Sequence, residues 1–207
     1  MLNLKEDYLK QKTYLKGWLL GKGYFKALKA MEFAQLHHNG KRKDGQEEFS
    51  HQVSQACYAI TLSDYLLYPE DTFCVIFSHD LLEDKGITVS TITDMFGERV
   101  GNSTRLMSKV LPNQPKIPND IYYHHMSEDA IASVCKGFDR LHNLMSMLNA
   151  FKPEKQVEYL EESLEKVVPM LKKARKLFPE QHNIYQNIKY VMINQIQLYK
   201  ALNNIHE

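Results

Sequence analysis

The sequence predicts an all-α protein, a bundle of roughly eight to ten helices in a single domain, on three grounds. Apolar residues recur at intervals of three and four along most of the chain, there is no alternating strand pattern of any length, and glycine or proline punctuates the periodic stretches. With 207 residues, 43% hydrophobic and 25% charged, the chain can bury a full core as one domain over 1–207. A motif-bearing core is expected over about 24–150, with a helical extension over 151–207.

Leu4, Tyr8, Leu9, Tyr14, Leu15, Trp18 and Leu19 place a helix over 4–20, which Gly21-Lys22-Gly23 breaks. A second periodic stretch from Tyr24 to His37 offers Phe25, Leu28, Met31, Phe33 and Leu36 to a core, and its aromatics read as packing rather than a base-stacking platform. His38 to Gly45 is a polar, glycine-containing loop. Ser50 is expected to cap a helix that runs through Val53, Ala56 and Ile60 to Leu66-Leu67, ending at Pro69. Phe73 to Phe77 reads as a buried helix, Gly86 ends the element that follows it, and Ser90 is expected to cap the next, through Ile92 and Phe96 to Gly97. Residues 99–110 also look helical. Pro112, Pro115 and Pro118 mark a loop, beside which Tyr122-Tyr123-His124-His125 forms either a lid or ordinary packing. Ala132 to Ser146 is helical, and the tail is two amphipathic helices, Glu154 to Phe178, divided or kinked at Pro169, and Asn183 to Asn204.

Charge excludes some functions. Against 26 basic residues stand 25 acidic ones, net +1, so neither a nucleic-acid footprint nor an anionic-membrane footprint is indicated. Cys57, Cys74 and Cys135 are far apart and form no CxxC pair, which argues against a zinc-thiolate site or a disulfide framework and for a reducing cytoplasm. No uninterrupted apolar run reaches a membrane-spanning length or a signal-peptide core, so a soluble protein is expected.

The chemistry is concentrated in Ser78-His79-Asp80-Leu81-Leu82-Glu83-Asp84, at the end of the apolar wall. At helical spacing His79 and Glu83 stand one turn apart, as do Asp80 and Asp84, so all four are expected to line one concave surface. Imidazole beside carboxylate suits a divalent ion such as manganese or iron, which would offset the cost of burying these groups. Taken alone, the same residues also fit a surface helix end with an acidic exit. Lys41, Arg42 and Lys43 lie between Gly40 and Gly45, a composition that suits phosphate and equally a solvated turn. Asp139, Asn143 and Ser146 fall at i, i+4 and i+7, a polar stripe in an apolar helix that needs partners.

Taken in order, His37-(x4)-Arg42-Lys43-Asp44-Gly45, His51, His79-Asp80-Leu81-Leu82-Glu83-Asp84, Phe96-Gly97 and Asp139-Arg140-Leu141-His142-Asn143 resemble the hydrolase domain of the RelA/SpoT-homologue enzymes, HD-superfamily hydrolases of ppGpp and pppGpp. Glu162-Ser163 followed by Pro169 is a weaker echo of the next helix of that family. The resemblance implies an HD-domain helical bundle in which His51, His79, Asp80 and Asp139 hold one Mn²⁺. It implies that Glu83 and Asp84 act on the attacking water and leaving group, and that Arg42, Lys43 and Asn143 contact the nucleotide, with Ser146 in place of a usual threonine. The implied reaction is 3′-pyrophosphohydrolysis of (p)ppGpp to GDP or GTP and pyrophosphate.

The chain departs from the pattern at Glu47-Glu48-Phe49, where the family has PY, and around Gly40, where it has GQ. Its length resembles the small stand-alone alarmone hydrolases, the metazoan SpoT homologue among them, and phage-encoded proteins of that kind. Members of that type are also associated with NADPH 2′-phosphate removal. The competing readings are therefore hydrolysis of NADPH, a dNTP or another signalling nucleotide, or a non-catalytic nucleotide-binding regulator. A small-molecule nucleotide is the expected partner, with no nucleic acid and no membrane, and the oligomeric state is open.

Overall fold

Among the described residues, helical periodicity becomes twelve α-helices: α1 (Leu4–Lys22), α2 (Phe25–His37), α3 (Ser50–Ile60), α4 (Pro69–Ser78), α5 (Leu81–Asp84), α6 (Val89–Phe96), α7 (Glu98–Met107), α8 (Asn119–Ser127), α9 (Ala130–Ser146), α10 (Pro153–Glu162), α11 (Val168–Leu177) and α12 (His182–Leu202). The computed structural model describes residues 4–43, 45–111 and 114–203; Asp44, Pro112 and Asn204 lie outside them. A π-turn, Ser163–Val167, joins α10 to α11 just before Pro169, and α5 is a single turn. Counting α10–α11 once and leaving out α5 gives ten helical rods. Among the described residues there is no strand, only one antiparallel bridge between Lys41 and Glu47. No described helix is long and apolar enough to cross a membrane.

Two helices organise the bundle. α4 begins with Pro69, which needs no amide partner in a first turn, followed by Glu70 and Asp71, whose charges favour the helix N-terminus. Every residue from Asp71 to Ser78 is buried, and α2, α3, α7 and α9 pack around it. Each fully buried Phe, Val or Ile here contributes about 1.5–3 kcal/mol of transfer free energy. α9 starts at Asp129, whose Oδ1 accepts the amides of Ile131 and Ala132 at 2.9 and 2.7 Å, and it packs against α3, α4, α7, α8, α11 and α12.

Several boundaries differ from expectation. Ser50 does not cap α3. Phe49 already has helical backbone angles, and the amides of Ser50 and His51 are taken by the carbonyls of Glu47 and Glu48, so a backbone turn replaces the side-chain cap. α3 ends at Ile60, and a 3₁₀ turn at Ser63–Tyr65 and an extended Leu66 follow. Thr88, not Ser90, caps α6, its hydroxyl accepting the Thr91 amide at 3.1 Å. Tyr122 and Tyr123 are not in a lid. They are buried on α8, and the Tyr122 hydroxyl donates to the Met107 carbonyl at 2.6 Å.

α6 and α7 meet closely at Gly101, where a Cβ would fall 2.0 Å from Thr93 Oγ1 and 3.3 Å from the Thr93 backbone. Gly101→Ala is expected to lower the unfolding free energy by about 1–3 kcal/mol, read from urea denaturation, through overpacking against a backbone that cannot rotate away.

Candidate metal centre

Three segments distant in sequence deliver the site. His51 enters from the first turn of α3, His79 caps the C-terminus of α4 with Asp80 next to it, and Asp139 projects from the middle of α9. His51 Nε2 lies 3.2 Å and His79 Nε2 4.0 Å from Asp139 Oδ1, and one ligand atom from each of the three falls within 4.8 Å of the others. Asp80 Oδ2 is 3.1 Å from His79 Nε2. The three grouped donors are two imidazole nitrogens and one carboxylate, with Asp80 adjoining them at His79, a mixture that a borderline divalent ion favours.

The tautomers fit that use. His79 Nδ1 lies 2.9 Å from the Ile76 carbonyl, which can only accept, so Nδ1 carries a proton and Nε2 is the nitrogen left to exchange its proton for a cation. That Nε2 is buried with no well-aligned hydrogen bond and the Asp80 carboxylate 3.1 Å away, a gap that a proton or a cation would fill. Burial opposes charge on His79, yet the Asp80 carboxylate raises its pKa to about 9 without a metal present. Burial likewise works against ionised Asp80, but His79 holds it down at about 2. Asp139 is pulled well below the carboxylate range despite its burial, first by Lys136, whose Nζ is 2.8 Å from Oδ2. Oδ2 thus has a fixed countercharge, and Oδ1 faces the histidines.

Beside the centre is a cavity of about 270 Å³. Asp80, Asp84, His51 and Gln52 form its inner side, while Lys41, Arg42, Lys43 and Phe151 form the cationic and aromatic outer side. Glu48 anchors this outer loop. Its carboxylate accepts from the Gly40 amide at 3.1 Å and from Lys85 Nζ at 2.7 Å, tying the loop to the residue after α5. Although burial pushes the Glu48 pKa up, Lys85 and Gly40 bring it below the usual value. A Cβ on Gly40 would meet Glu48 Oε2 at 3.0 Å, so the bare backbone there permits the contact.

No protein-family model matches the chain. It is 28% identical over 159 residues to the GTP pyrophosphokinase rsh of Brucella melitensis, covering 73% of this chain and 20% of that protein. It is 30% identical over 145 residues to the guanosine-3′,5′-bis(diphosphate) 3′-pyrophosphohydrolase of Spiroplasma citri, covering 66% and 19%. The protein of the same name from Aquifex aeolicus is 28% identical over 147 residues, covering 69% and 20%. The similarity supports the RelA/SpoT-type family. The chain spans about a fifth of the length of these curated relatives.

Within this RelA/SpoT-type pattern the structure separates residues that the motifs group together. Asp84 lines the cavity, but Glu83 points to the segment after α7, where its Oε1 accepts the amides of Lys109 and of Val110, the latter at 2.7 Å. The four ionisable groups of the element therefore do not share one concave surface. A break at His79-Asp80 between α4 and α5 shifts the register that continuous helical spacing assumes. Asn143 Nδ2 donates to Asp139 Oδ1 at 2.7 Å, and Ser146 Oγ donates to the His142 carbonyl at 3.0 Å, so both are engaged within α9. His37, which heads the basic motif in sequence, packs on Phe33, and its neighbour His38 faces the cavity.

Other residues of the site carried no role in the sequence reading. Gln52 Nε2 donates to Asp80 Oδ2 at 3.2 Å, Gln55 Nε2 sits 2.6 Å from His51 Nε2, and His142 Nδ1 sits 2.8 Å from His51 Nδ1. The i, i+4 spacing of His51 and Gln55 was the available signal. The cysteines contribute no ligand here. Burial raises the Cys57 thiol to about 11 and raises Cys74 and Cys135 as well, which keeps them protonated.

Proposed function

We propose that the chain is a single-domain, RelA/SpoT-type HD phosphohydrolase that removes the 3′-pyrophosphate of ppGpp or pppGpp in the cytoplasm, using one Mn²⁺ held by His51, His79, Asp80 and Asp139. The observation that carries the reading is the convergence of His51, His79 and Asp139, with Asp80 3.1 Å from His79, beside a cavity walled by Lys41, Arg42 and Lys43. A divalent ion held there lowers the pKa of water and screens phosphate charge.

The chain's own residues supply the remainder. The Arg42 guanidinium fork and the Lys43 ammonium hold the diphosphate, and Phe151 offers an aromatic face to the base. Asp84 accepts the proton of the attacking water. Its pKa is raised, first by burial and then by Asp80 and Glu83, which makes it a more basic proton acceptor than a free aspartate. Water oxygen joins the phosphorus attached to the ribose O3′, the O3′–P bond breaks, O3′ takes up the proton that Asp84 received from the water, and GDP or GTP leaves with pyrophosphate. Glu83, the other member of the pair, is occupied by the Lys109 and Val110 amides in this conformation, so the first proton transfer falls to Asp84. Asn143 and Ser146 stand behind Asp139 and reach the nucleotide only by leaving their bonds within α9.

The test is a substrate panel of ppGpp, pppGpp, NADPH, dNTPs and cyclic dinucleotides, assayed with Mn²⁺ and after chelation. GDP and pyrophosphate from ppGpp, lost on chelation, is the expected result. Phosphate released from NADPH alone would reassign the substrate, and tight ppGpp binding without any product would make the protein a regulator.

A further inference from the structure

We propose that His142 is a positioning residue that accepts the Nδ1 proton of His51 and so holds that ring with the Nε2 lone pair facing Asp139. The inference rests on the metal-centre reading and adds to it a residue outside the four donors. The two Nδ1 atoms are 2.8 Å apart, with the rings at 71° and their centroids 4.6 Å apart, so a single proton lies between them. If His142 donated it, His51 would carry its own proton on Nε2, 3.2 Å from Asp139 Oδ1, and the nitrogen nearest the carboxylate would be closed to a cation. If His51 donates it, Nε2 is a lone pair.

The contrast with His79 sharpens the assignment. The His79 tautomer is fixed by the Ile76 carbonyl, which accepts whatever side chains surround it. That of His51 is fixed by a side chain able to play either role, so it is open to substitution. Partners that hold a ligand ring this way typically change metal affinity by about 10–100-fold when removed.

Two measurements on the full chain test this. Long-range ¹H–¹⁵N correlation spectra of the metal-free protein should show His51 protonated at Nδ1 alone, and a His51 protonated at Nε2 would overturn the proposal. Calorimetric titration with Mn²⁺ should give about 10–100-fold weaker binding for His142→Leu, whereas His142→Asn, whose Oδ1 sits near the lost Nδ1 and can accept, should stay within about threefold of wild type. Equal binding by wild type and His142→Leu, or equal weakening in both variants, would defeat it by showing no role or mere packing. If the wild-type protein binds no Mn²⁺ while His51 keeps the Nδ1 proton and loses that preference in His142→Leu, the positioning role stands and the metal reading falls. Should His142→Leu fail to fold, the wild-type tautomer still decides.

Discussion

Asp139→Ala is expected to remove Mn²⁺ binding, to cut nucleotide turnover by about 10³-fold or more, and to destabilise the metal-free protein by about 3–5 kcal/mol. The first two effects follow from Oδ1, which faces both histidines, since several kcal/mol of charge stabilisation vanish with the ion. The third follows from Oδ2, the counterion of Lys136. That ammonium is mostly buried, its side chain 14% exposed, and Asp139 raises its pKa although burial opposes the charge. Without the carboxylate an unpaired cation is left in the bundle. The double variant Asp139→Leu/Lys136→Met separates the two roles, because it should recover stability in urea while still binding no metal. An Asp139→Ala protein that titrates with Mn²⁺ like wild type would remove Asp139 from the centre.

Arg140→Ala should be the most damaging change outside the metal centre, costing about 3–5 kcal/mol in guanidinium unfolding. Arg140 is 3% exposed and joins three helices. Its Nη2 donates to Glu162 Oε2 at 2.5 Å and to the Tyr123 hydroxyl at 3.2 Å, and its Nη1 donates to the Tyr159 carbonyl at 3.3 Å. The guanidinium carbon also lies 4.3 Å from the centroid of the Tyr159 ring. Acid should reveal the same link. Burial pushes the Glu162 pKa up, but Arg140 pulls it below its ordinary value. A carboxyl whose folded pKa is depressed adds stability above its unfolded pKa, and that stability is lost as pH falls through the lower folded value. The wild-type protein should therefore lose stability more steeply on the acid side than Arg140→Ala. A variant within about 1 kcal/mol of wild type at neutral pH would show that the buried pair is dispensable.

Much of the fold was legible because α2, α9 and α12 are long segments with recurring apolar residues and α4 carries an uninterrupted apolar run that is buried throughout. The convergence of His51, His79 and Asp139 was legible only through the order of the motifs, since no local periodicity links α3, α4 and α9. What could not be read depends on small backbone changes. Whether His37 or His38 turns inward is a rotation of about 100° at the end of α2, and adjacent histidines give no sign of it. The direction of Glu83 depends on the break between α4 and α5, which a continuous wheel across Ser78 to Asp84 hides. The prolines before α8 suggested a loop throughout, whereas Pro118 sits at the cap of a helix that buries both tyrosines.

His51, His79-Asp80 and Asp139 approach one another only when three helices are packed, so the unfolded chain offers an ion no comparable cage. An ion taken up there acts as a clamp on the native state: each tenfold rise in its free concentration above the dissociation constant deepens the folded well by about 1.4 kcal/mol. The lifetime of the fold in a cell would then track the supply of the ion that the chemistry uses.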